Sequence, residues 1–287
     1  MVQKKSKVMK MRINKDKTTQ AVDYSYGYIP DYRDPRDHLF SERFKPAAEF
    51  IKNSKLNLPS KADVTKYCPD AYDQGSLGSC TAQGLVGCLS AVEKKFGLPY
   101  VPLSRLMIYY NEREMEGTVK FDAGAMIRDG IKSLEKIGVC HEEKWPYDIK
   151  KFRVKPSDRC YQLAEEHKII NYQRLTNIIQ MRCALAHEYP VVFGFTVYTS
   201  FETQETAKRG IMPLPQPKEN VRGGHCVFAC GYDDDMEVDG QKGFFLVQNS
   251  WSKGWGLDGR FWMPYDAFLL YSSDTWSIYI AESTDGD

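Results

Sequence analysis

The spacing of hydrophobic and polar positions differs between the two halves of the chain. Between residues 80 and 138, apolar side chains recur every three or four positions, which predicts helices that begin at Cys80, Ser104 and Ala123. A further amphipathic helix is predicted from Asn177. Beyond residue 190, apolar runs predict strands: VVFGFTVY, HCVFACGY, GFFLVQNSW, RFWMPY and TWSIYIAES. Helices followed by strands predict an α+β protein with two lobes, one mainly helical and one mainly antiparallel sheet.

The start of the chain lacks this pattern. Residues 1–58 are charged, show little apolar periodicity, and contain Pro30 and Pro35 beside alternating aspartate and arginine residues that favour extended or turn backbone. We therefore predict an N-terminal arm over residues 1–58 and a folded domain over residues 59–287. Within that domain, we expect the helical lobe to span about residues 66–165 and the β lobe about residues 166–287.

Composition excludes several classes of function. The chain has 287 residues, 42% of them hydrophobic, and a formal net charge of +1, so it carries no overall electrostatic footprint for nucleic acid. Its apolar runs are too short for a bilayer helix, and its basic N-terminus lacks the apolar core of a secretory signal. We expect a monomer without nucleic-acid or membrane partners. Because neither a signal peptide nor a transmembrane segment is predicted, an intracellular or virion-associated location is favoured.

The eight cysteines are widely scattered and form no C-x-x-C pair, which excludes zinc-ribbon and thioredoxin-type spacing. His225, Cys226 and Cys230 share one predicted strand and would not converge on a metal. A chain of this length needs no disulfides to fold, so mostly reduced thiols are expected. We predict neither a metal site nor a cofactor.

Cys80 has the setting of a reactive thiol. It ends the segment DQGSLGSC and begins a predicted helix, whose N-terminus presents unpaired backbone N–H groups and the positive end of the helix dipole. The segment alone also fits a turn that leads into a buried structural cysteine. A catalytic thiol would need a base from elsewhere in the chain.

His225 is the candidate base, because it follows two glycines and opens a predicted strand, whereas the other histidines lie in the arm, in a loop or in charged segments. The chain is expected to run out from His225 to Tyr232, reverse in the loop DDDMEVDGQK, and return from Gly243 to Asn249. This hairpin places His225 and Asn249 at one end, within a residue of being cross-strand partners. An asparagine oxygen can then fix one imidazole nitrogen and leave the other free.

Three segments in this order, QGSLGSC, GGHCVFACGYD and QNSWSKGWG, resemble the signature blocks of papain-like cysteine peptidases, the cathepsin clan, over roughly residues 58–280. The intervening segments resemble the bacterial and viral branch. The resemblance implies the two-lobed papain-like fold with the active-site cleft between the lobes. It also implies that Cys80 is the thiolate nucleophile, that His225 is its proton-transfer partner, and that Asn249 orients the imidazole. The side chain of Gln74 and the backbone N–H of Cys80 would bind the oxyanion.

The same resemblance suggests where a substrate would bind. A polypeptide would lie extended between the lobes, with Gly124 and Ala125 of the DAGA segment pairing with its backbone and Gly224 and Trp251 beside it. Trp251 would also shield the histidine–asparagine hydrogen bond from water. Other candidates for the pocket wall, which equally fit core or loop positions, are Tyr198, Phe201 and Gly223.

Some features depart from the family pattern. Leu77 stands where the family usually has a cysteine, and Thr81 where it usually has a tryptophan, so the disulfide that normally anchors this loop cannot form. The arm resembles a propeptide by position but lacks the long-helix motif of lysosomal propeptides. We expect it to be a propeptide, and its action as an intramolecular inhibitor is a hypothesis.

The leading interpretation is therefore a cysteine-type peptidase that acts through an acyl-enzyme and is made as a proenzyme. A catalytically degenerate papain-fold protein that binds peptide or serves a structural role is the main alternative. A third interpretation is a different Cys-His-Asn acyl transferase, which the position of Gln74 and the NSW block disfavour.

Overall fold

The structure is a computed structural model that describes residues 24–40 and 58–281. Seven α-helices occur in these ranges: α1 (Cys80–Lys95), α2 (Arg105–Met115), α3 (Ile127–Lys136), α4 (Asp158–Ala164), α5 (Ile178–Ala186), α6 (Gln204–Arg209) and α7 (Tyr265–Tyr271). Nine strands accompany them: β1 (Tyr28–Ile29), β2 (Lys61–Asp63), β3 (Ala125–Met126), β4 (Asn171–Leu175), β5 (Val191–Tyr198), β6 (Val221–Val238), β7 (Gln241–Gln248), β8 (Arg260–Pro264) and β9 (Ser272–Tyr279).

Helix α1 is the central element of the helical lobe. Its residues from Cys80 to Glu93 are all buried, because α2 and α3 pack on it from one side and β6 from the other. The small side chain of Gly87 allows close packing, since a Cβ there would lie 2.6 Å from the Phe228 ring. The helix is therefore held on all sides, which fixes the position of its first residue, Cys80.

The β lobe is one seven-stranded sheet. Its strands lie in the order β4-β9-β5-β6-β7-β8, with β2 paired to β6, and every pairing is antiparallel. Buried aromatic side chains, including Phe193, Phe245 and Trp276, fill the core beside it. The predicted α+β architecture with a helical lobe and an antiparallel sheet is confirmed, whereas the exact lobe boundaries stay a prediction.

Individual elements differ from their predicted bounds. Helix α3 begins at Ile127 instead of Ala123, because Ala125 and Met126 form β3 and pair in parallel with Tyr28 and Ile29. The prediction of a loop over DDDMEVDGQK is wrong for most of that segment. Strand β6 continues to Val238, and the chain reverses at Asp239 and Gly240.

The described part of the arm, residues 24–40, lies against the folded domain. Its Asp37 forms a bidentate ion pair with Arg128 of α3 at 2.7 and 2.8 Å and a second ion pair with Arg174 of β4 at 2.9 Å. The Tyr28 hydroxyl donates to Asp274 at 2.5 Å. The predicted basic tail at the start of the chain and the predicted arm residues 41–57 lie outside the described residues.

All eight cysteines lie in the described ranges, and none of them forms a disulfide there. Among residues 24–40 and 58–281, no helix combines the length and the apolar character needed to cross a membrane.

Candidate active site

The thiol of Cys80 lies at the N-terminus of α1 and is completely buried. Burial raises its pKa to about 12, an effect that backbone hydrogen bonds from Cys226, Gly27 and Thr81 oppose. Cys226 is the residue that follows His225, so the fold brings the sulfur of α1 against the start of the imidazole-bearing segment of β6. Burial therefore favours the protonated form of this thiol.

His225 and Asn249 form the expected pair. His225 Nε2 lies 2.8 Å from Asn249 Oδ1, which also accepts a hydrogen bond from Ser250 N at 2.8 Å. With Nε2 donating to the amide oxygen, Nδ1 carries the lone pair and finds no partner among the described residues. The register differs slightly from the prediction. Phe228 pairs with Gln248, which places His225 two residues, instead of one, from the position opposite Asn249.

The imidazole of His225 is surrounded by aromatic rings. Trp251 stacks on it with ring centroids 5.0 Å apart, and Phe195 meets it edge-on at 5.7 Å. His225 is completely buried, and this burial lowers its pKa to about 4 although the Asn249 hydrogen bond opposes the shift. Burial therefore favours the neutral form of both the thiol and the imidazole.

The Gln74 side chain is fixed in a donor position. Its Oε1 accepts a hydrogen bond from Ser250 Oγ at 2.6 Å, and its backbone N–H donates to Ser250 O at 3.0 Å. These contacts turn the amide group Nε2 toward the carbonyl oxygens of Ser25, at 2.9 Å, and Leu77, at 3.1 Å. Gln74 thus already binds a peptide carbonyl, that of Ser25 in the arm.

The loop before Cys80 and the DAGA segment are tied together by one carboxylate. Asp122 accepts hydrogen bonds from Gly78 N at 3.1 Å and from the Tyr109 hydroxyl, and that hydroxyl also accepts from Gly124 N at 3.2 Å. Ala125 N donates to the carbonyl oxygen of Gly27 at 2.7 Å. The predicted substrate-binding residues Gly124 and Ala125 therefore contact extended backbone, here that of the arm.

Residues 24–29 of the arm occupy the cleft. Tyr24 stacks on Trp251 with centroids 3.9 Å apart, and Tyr26 lies edge-on to His225 at 5.9 Å. A Cβ at Gly224 would lie 2.3 Å from the carbonyl oxygen of Tyr28, so the glycine permits close passage of this backbone. The arm covers both Cys80 and His225.

The remaining pocket candidates have different positions. Phe201 is buried in an aromatic cluster with Trp251, Trp255 and Phe261, which makes it a core residue. Tyr198 packs edge-on against Tyr271, with centroids 5.2 Å apart. An open cavity of about 600 Å³ continues the groove beyond Trp251, lined by Tyr24, Asp73, Ser76 and Trp255 among others.

Four residues that contribute to this site were not predicted from the sequence. Ser250 holds the Gln74 amide, and its place inside the QNSW block was an available signal. The Tyr147 hydroxyl donates to Gln74 O at 2.9 Å and contacts Ser79 Oγ, which supports the loop before Cys80. Tyr24 and Tyr26 lie over the catalytic candidates, and nothing in their local pattern indicated where the arm would fold.

Comparison with known proteins agrees with this geometry. Residues 58–270 match the sequence model described as papain family cysteine protease. The chain belongs to the papain family. It is 37% identical over 280 residues to an uncharacterised peptidase C1-like protein of Acanthamoeba polyphaga mimivirus, a match that spans 91% of this chain and 88% of that protein.

Solved structures of papain-family proteins resemble this one. Xylellain, a cysteine protease from Xylella fastidiosa, superposes with a TM-score of 0.77 at 39% identity, over 90% of this chain and 96% of that structure. The ragweed pollen protease Amb a 11 in its proform gives a TM-score of 0.63 at 20% identity, over 82% of this chain and 71% of that structure. The second match supports the fold alone. These similarities confirm the predicted papain-like fold and the resemblance to bacterial and viral members.

Proposed function

We propose that this papain-family protein is an active cysteine peptidase that hydrolyses peptide bonds and is made as a latent proenzyme. The observation that carries the proposal is the position of Gln74, whose side-chain amide donates to the Ser25 carbonyl beside the buried Cys80 and His225. A donor that already holds a peptide carbonyl next to a nucleophile and a base is the arrangement that acyl transfer requires.

The residues support a two-step reaction. Once water and substrate replace the arm, the thiol proton moves to Nδ1 of His225, and the Cys80 sulfur attacks the scissile carbonyl carbon. Gln74 Nε2 and the backbone N–H of Cys80 stabilise the oxyanion that forms. The C–N bond then breaks, and the leaving amine takes the proton from the imidazolium. Water hydrolyses the thioester, with His225 as the base and Asn249 holding its ring in place.

Latency follows from the position of residues 24–29. They cover the thiol and imidazole, occupy the Gln74 donor, and pair with Ala125 at the point where a substrate backbone is expected. They also keep the catalytic pair neutral through burial, so the arm suppresses both substrate access and thiolate formation.

A peptide-binding protein without catalysis is the second candidate, because the cleft holds an extended segment of the arm. Two observations favour catalysis over it. Cys80, His225, Asn249 and Gln74 are all present, and the Asn249 hydrogen bond leaves the Nδ1 lone pair of His225 available for the thiol proton. A binding role alone would not need that tautomer.

The test compares two cysteine substitutions in the full-length protein. Cleavage of a peptide library and labelling by an epoxide that alkylates papain-type thiols are measured for Cys80→Ala and for Cys68→Ala, which removes a thiol away from the cleft. We expect both signals to be lost in Cys80→Ala and retained in Cys68→Ala. Peptide hydrolysis that survives in Cys80→Ala would overturn the proposal.

A further inference from the structure

A second cluster of chemically active side chains lies in the helical lobe. His141, in the loop after α3, and His167, in the segment after α4, place their Nε2 atoms 3.0 Å apart. A carboxylate oxygen of Glu166 lies within 4.8 Å of these ring nitrogens. The buried Glu93, near the end of α1, accepts from His167 Nδ1 at 2.7 Å. Glu93 is thirteen residues beyond Cys80, or about 20 Å along the helix, so the cluster is separate from the active site.

The hydrogen bond that His167 Nδ1 donates to Glu93 decides the tautomer of His167. A carboxylate can only accept, so Nδ1 of His167 carries the proton and its Nε2 presents a lone pair toward His141. Metal-binding histidines characteristically donate their second nitrogen to such a carboxylate, which orients the ring and increases its basicity. Only 7% of the Glu93 side chain is exposed, so a nearby cation stabilises its buried negative charge.

The distances fit a small ion. A tetrahedral zinc ion with bonds of about 2.05 Å to two nitrogens separates them by about 3.3 Å, so the two rings need to part by only about 0.3 Å. Glu166 is exposed and its side chain is free to rotate toward the nitrogens. Two imidazoles and a carboxylate leave the fourth position to water.

The backbone holds the two histidines in place. Val139 N donates to His167 O at 3.2 Å, which joins the two histidine-bearing segments, and His141 forms a bridge with Leu103. These backbone contacts hold the two segments side by side, so ion binding requires little rearrangement of the main chain.

We propose that His141, His167 and Glu166 bind a zinc ion, with Glu93 as the outer partner of His167. The ion joins the loop after α3, the segment that leads from α4 into β4, and the end of α1. The ion stabilises the helical lobe by linking these segments. The proposal does not depend on peptidase activity. This proposal revises the expectation that the chain has no metal site. The site was not expected because His141 and His167 lie in separate segments of the sequence.

The experiment uses full-length Cys80→Ser protein with its remaining thiols reduced, so that neither self-cleavage nor the active-site thiol affects zinc binding. Zinc chloride is titrated by calorimetry, and the unfolding temperature is measured at zinc concentrations near a hundred times the dissociation constant. We expect one equivalent to bind and the unfolding temperature to rise by roughly 5 to 10 °C.

Variants identify the ligands. His141→Gln, His167→Gln and the exposed Glu166→Gln should each abolish or strongly weaken binding, whereas Glu93→Gln should weaken it by about 10-fold to 100-fold. The matched control is His187→Gln, at an exposed histidine outside the cluster, which should bind zinc like the parent. If a histidine variant misfolds, Glu166→Gln still tests the site at the surface.

Cobalt provides an independent readout. Co²⁺ bound by imidazole and carboxylate should show visible bands without the near-ultraviolet charge transfer of a cobalt–thiolate bond. The proposal is overturned if no zinc binds, if binding survives the histidine and Glu166 substitutions, or if cobalt shows thiolate ligation. The cluster would then be a hydrogen-bonded His-His-Glu chain.

Discussion

Substitution of Gly27 by alanine should release the arm from the cleft. A Cβ at this position would lie 1.6 Å from Gly78 O and 2.3 Å from Gly78 C, both atoms of the backbone. That backbone belongs to the loop between Gln74 and Cys80, which is tied to Asp122 and Tyr147 and cannot shift easily. The methyl group therefore displaces the arm and leaves the loop in place.

The magnitude follows from the contacts that the displaced arm loses. They are the hydrogen bond from Ala125 N to Gly27 O, the bond from Gln74 Nε2 to Ser25 O, and the stacking of Tyr24 on Trp251. At about 1 kcal/mol each, they total about 3 kcal/mol. This corresponds to a shift of about 100-fold in the ratio of open to covered protein.

The assay measures two rates in parallel. Hydrolysis of a fluorogenic peptide reports catalysis, and alkylation by the epoxide reports access to Cys80. Both rates should rise by about 100-fold in Gly27→Ala and should stay unchanged in the control Tyr32→Ala. Tyr32 lies on the same arm with 77% of its surface exposed. Wild-type rates in a folded Gly27→Ala protein would refute arm-mediated inhibition.

Three further predictions concern the same site. In the Gly27→Ala background, Gln74→Ala should lower kcat by about 100-fold to 1000-fold with a smaller change in KM, measured by steady-state hydrolysis, because one oxyanion donor is lost. Asn249→Ala should lower kcat/KM by at least about 10-fold, because the imidazole loses its orienting partner. Burial and the charge of Asp274 raise the pKa of Asp31 to about 6, so the docked arm binds a proton more tightly than the free arm. The equilibrium constant for arm docking should therefore fall as pH rises from 4 toward 6, by at most about 10-fold per pH unit. Asp31→Asn should remove most of this pH dependence.

These predictions have matched controls. Gln162→Ala removes an exposed glutamine away from the cleft and should leave kcat unchanged. Arm docking is followed in the Cys80→Ala protein by hydrogen exchange of the Ala125 amide, which is bonded to Gly27 O. The Asp31 prediction is refuted if exchange of the Ala125 amide slows as pH rises, after the exchange rates are corrected for intrinsic base catalysis. It also fails if Asp31→Asn behaves like the parent.

The sequence predicted the elements whose cause is local. The helix after Ser104 begins where the sequence predicts. Serine is a preferred N-cap residue, and the Ser104 side chain accepts a hydrogen bond from Met107 N. Strand β5 was expected with its observed bounds, since a continuous apolar run is typical of a strand buried on both faces. The sequence did not predict four elements of five to seven residues, α4, α6, α7 and β4, nor the two- and three-residue strands β1, β2 and β3. Elements this short hold too few periods of a pattern to be recognised.

The sequence also indicated the catalytic candidates but not what covers them. His225 and Asn249 could be paired because a hairpin is a local structure with predictable geometry. The contact between Tyr24 and Trp251 joins residues far apart in the chain, and no local pattern reports such a contact. The same reason kept His141 and His167 apart in the sequence-based interpretation. Tertiary folding alone brings their rings together.

The proposed latency has a consequence for activation, because the arm is covalently linked to the domain that it would inhibit. An inhibitor joined to its target acts at a fixed local concentration, so diluting the intact protein cannot start turnover. A single cut between residue 40 and the domain would turn the same segment into a ligand that departs on dilution. Activity that appears on dilution would therefore reveal that the chain has been nicked, before any fragment is seen on a gel.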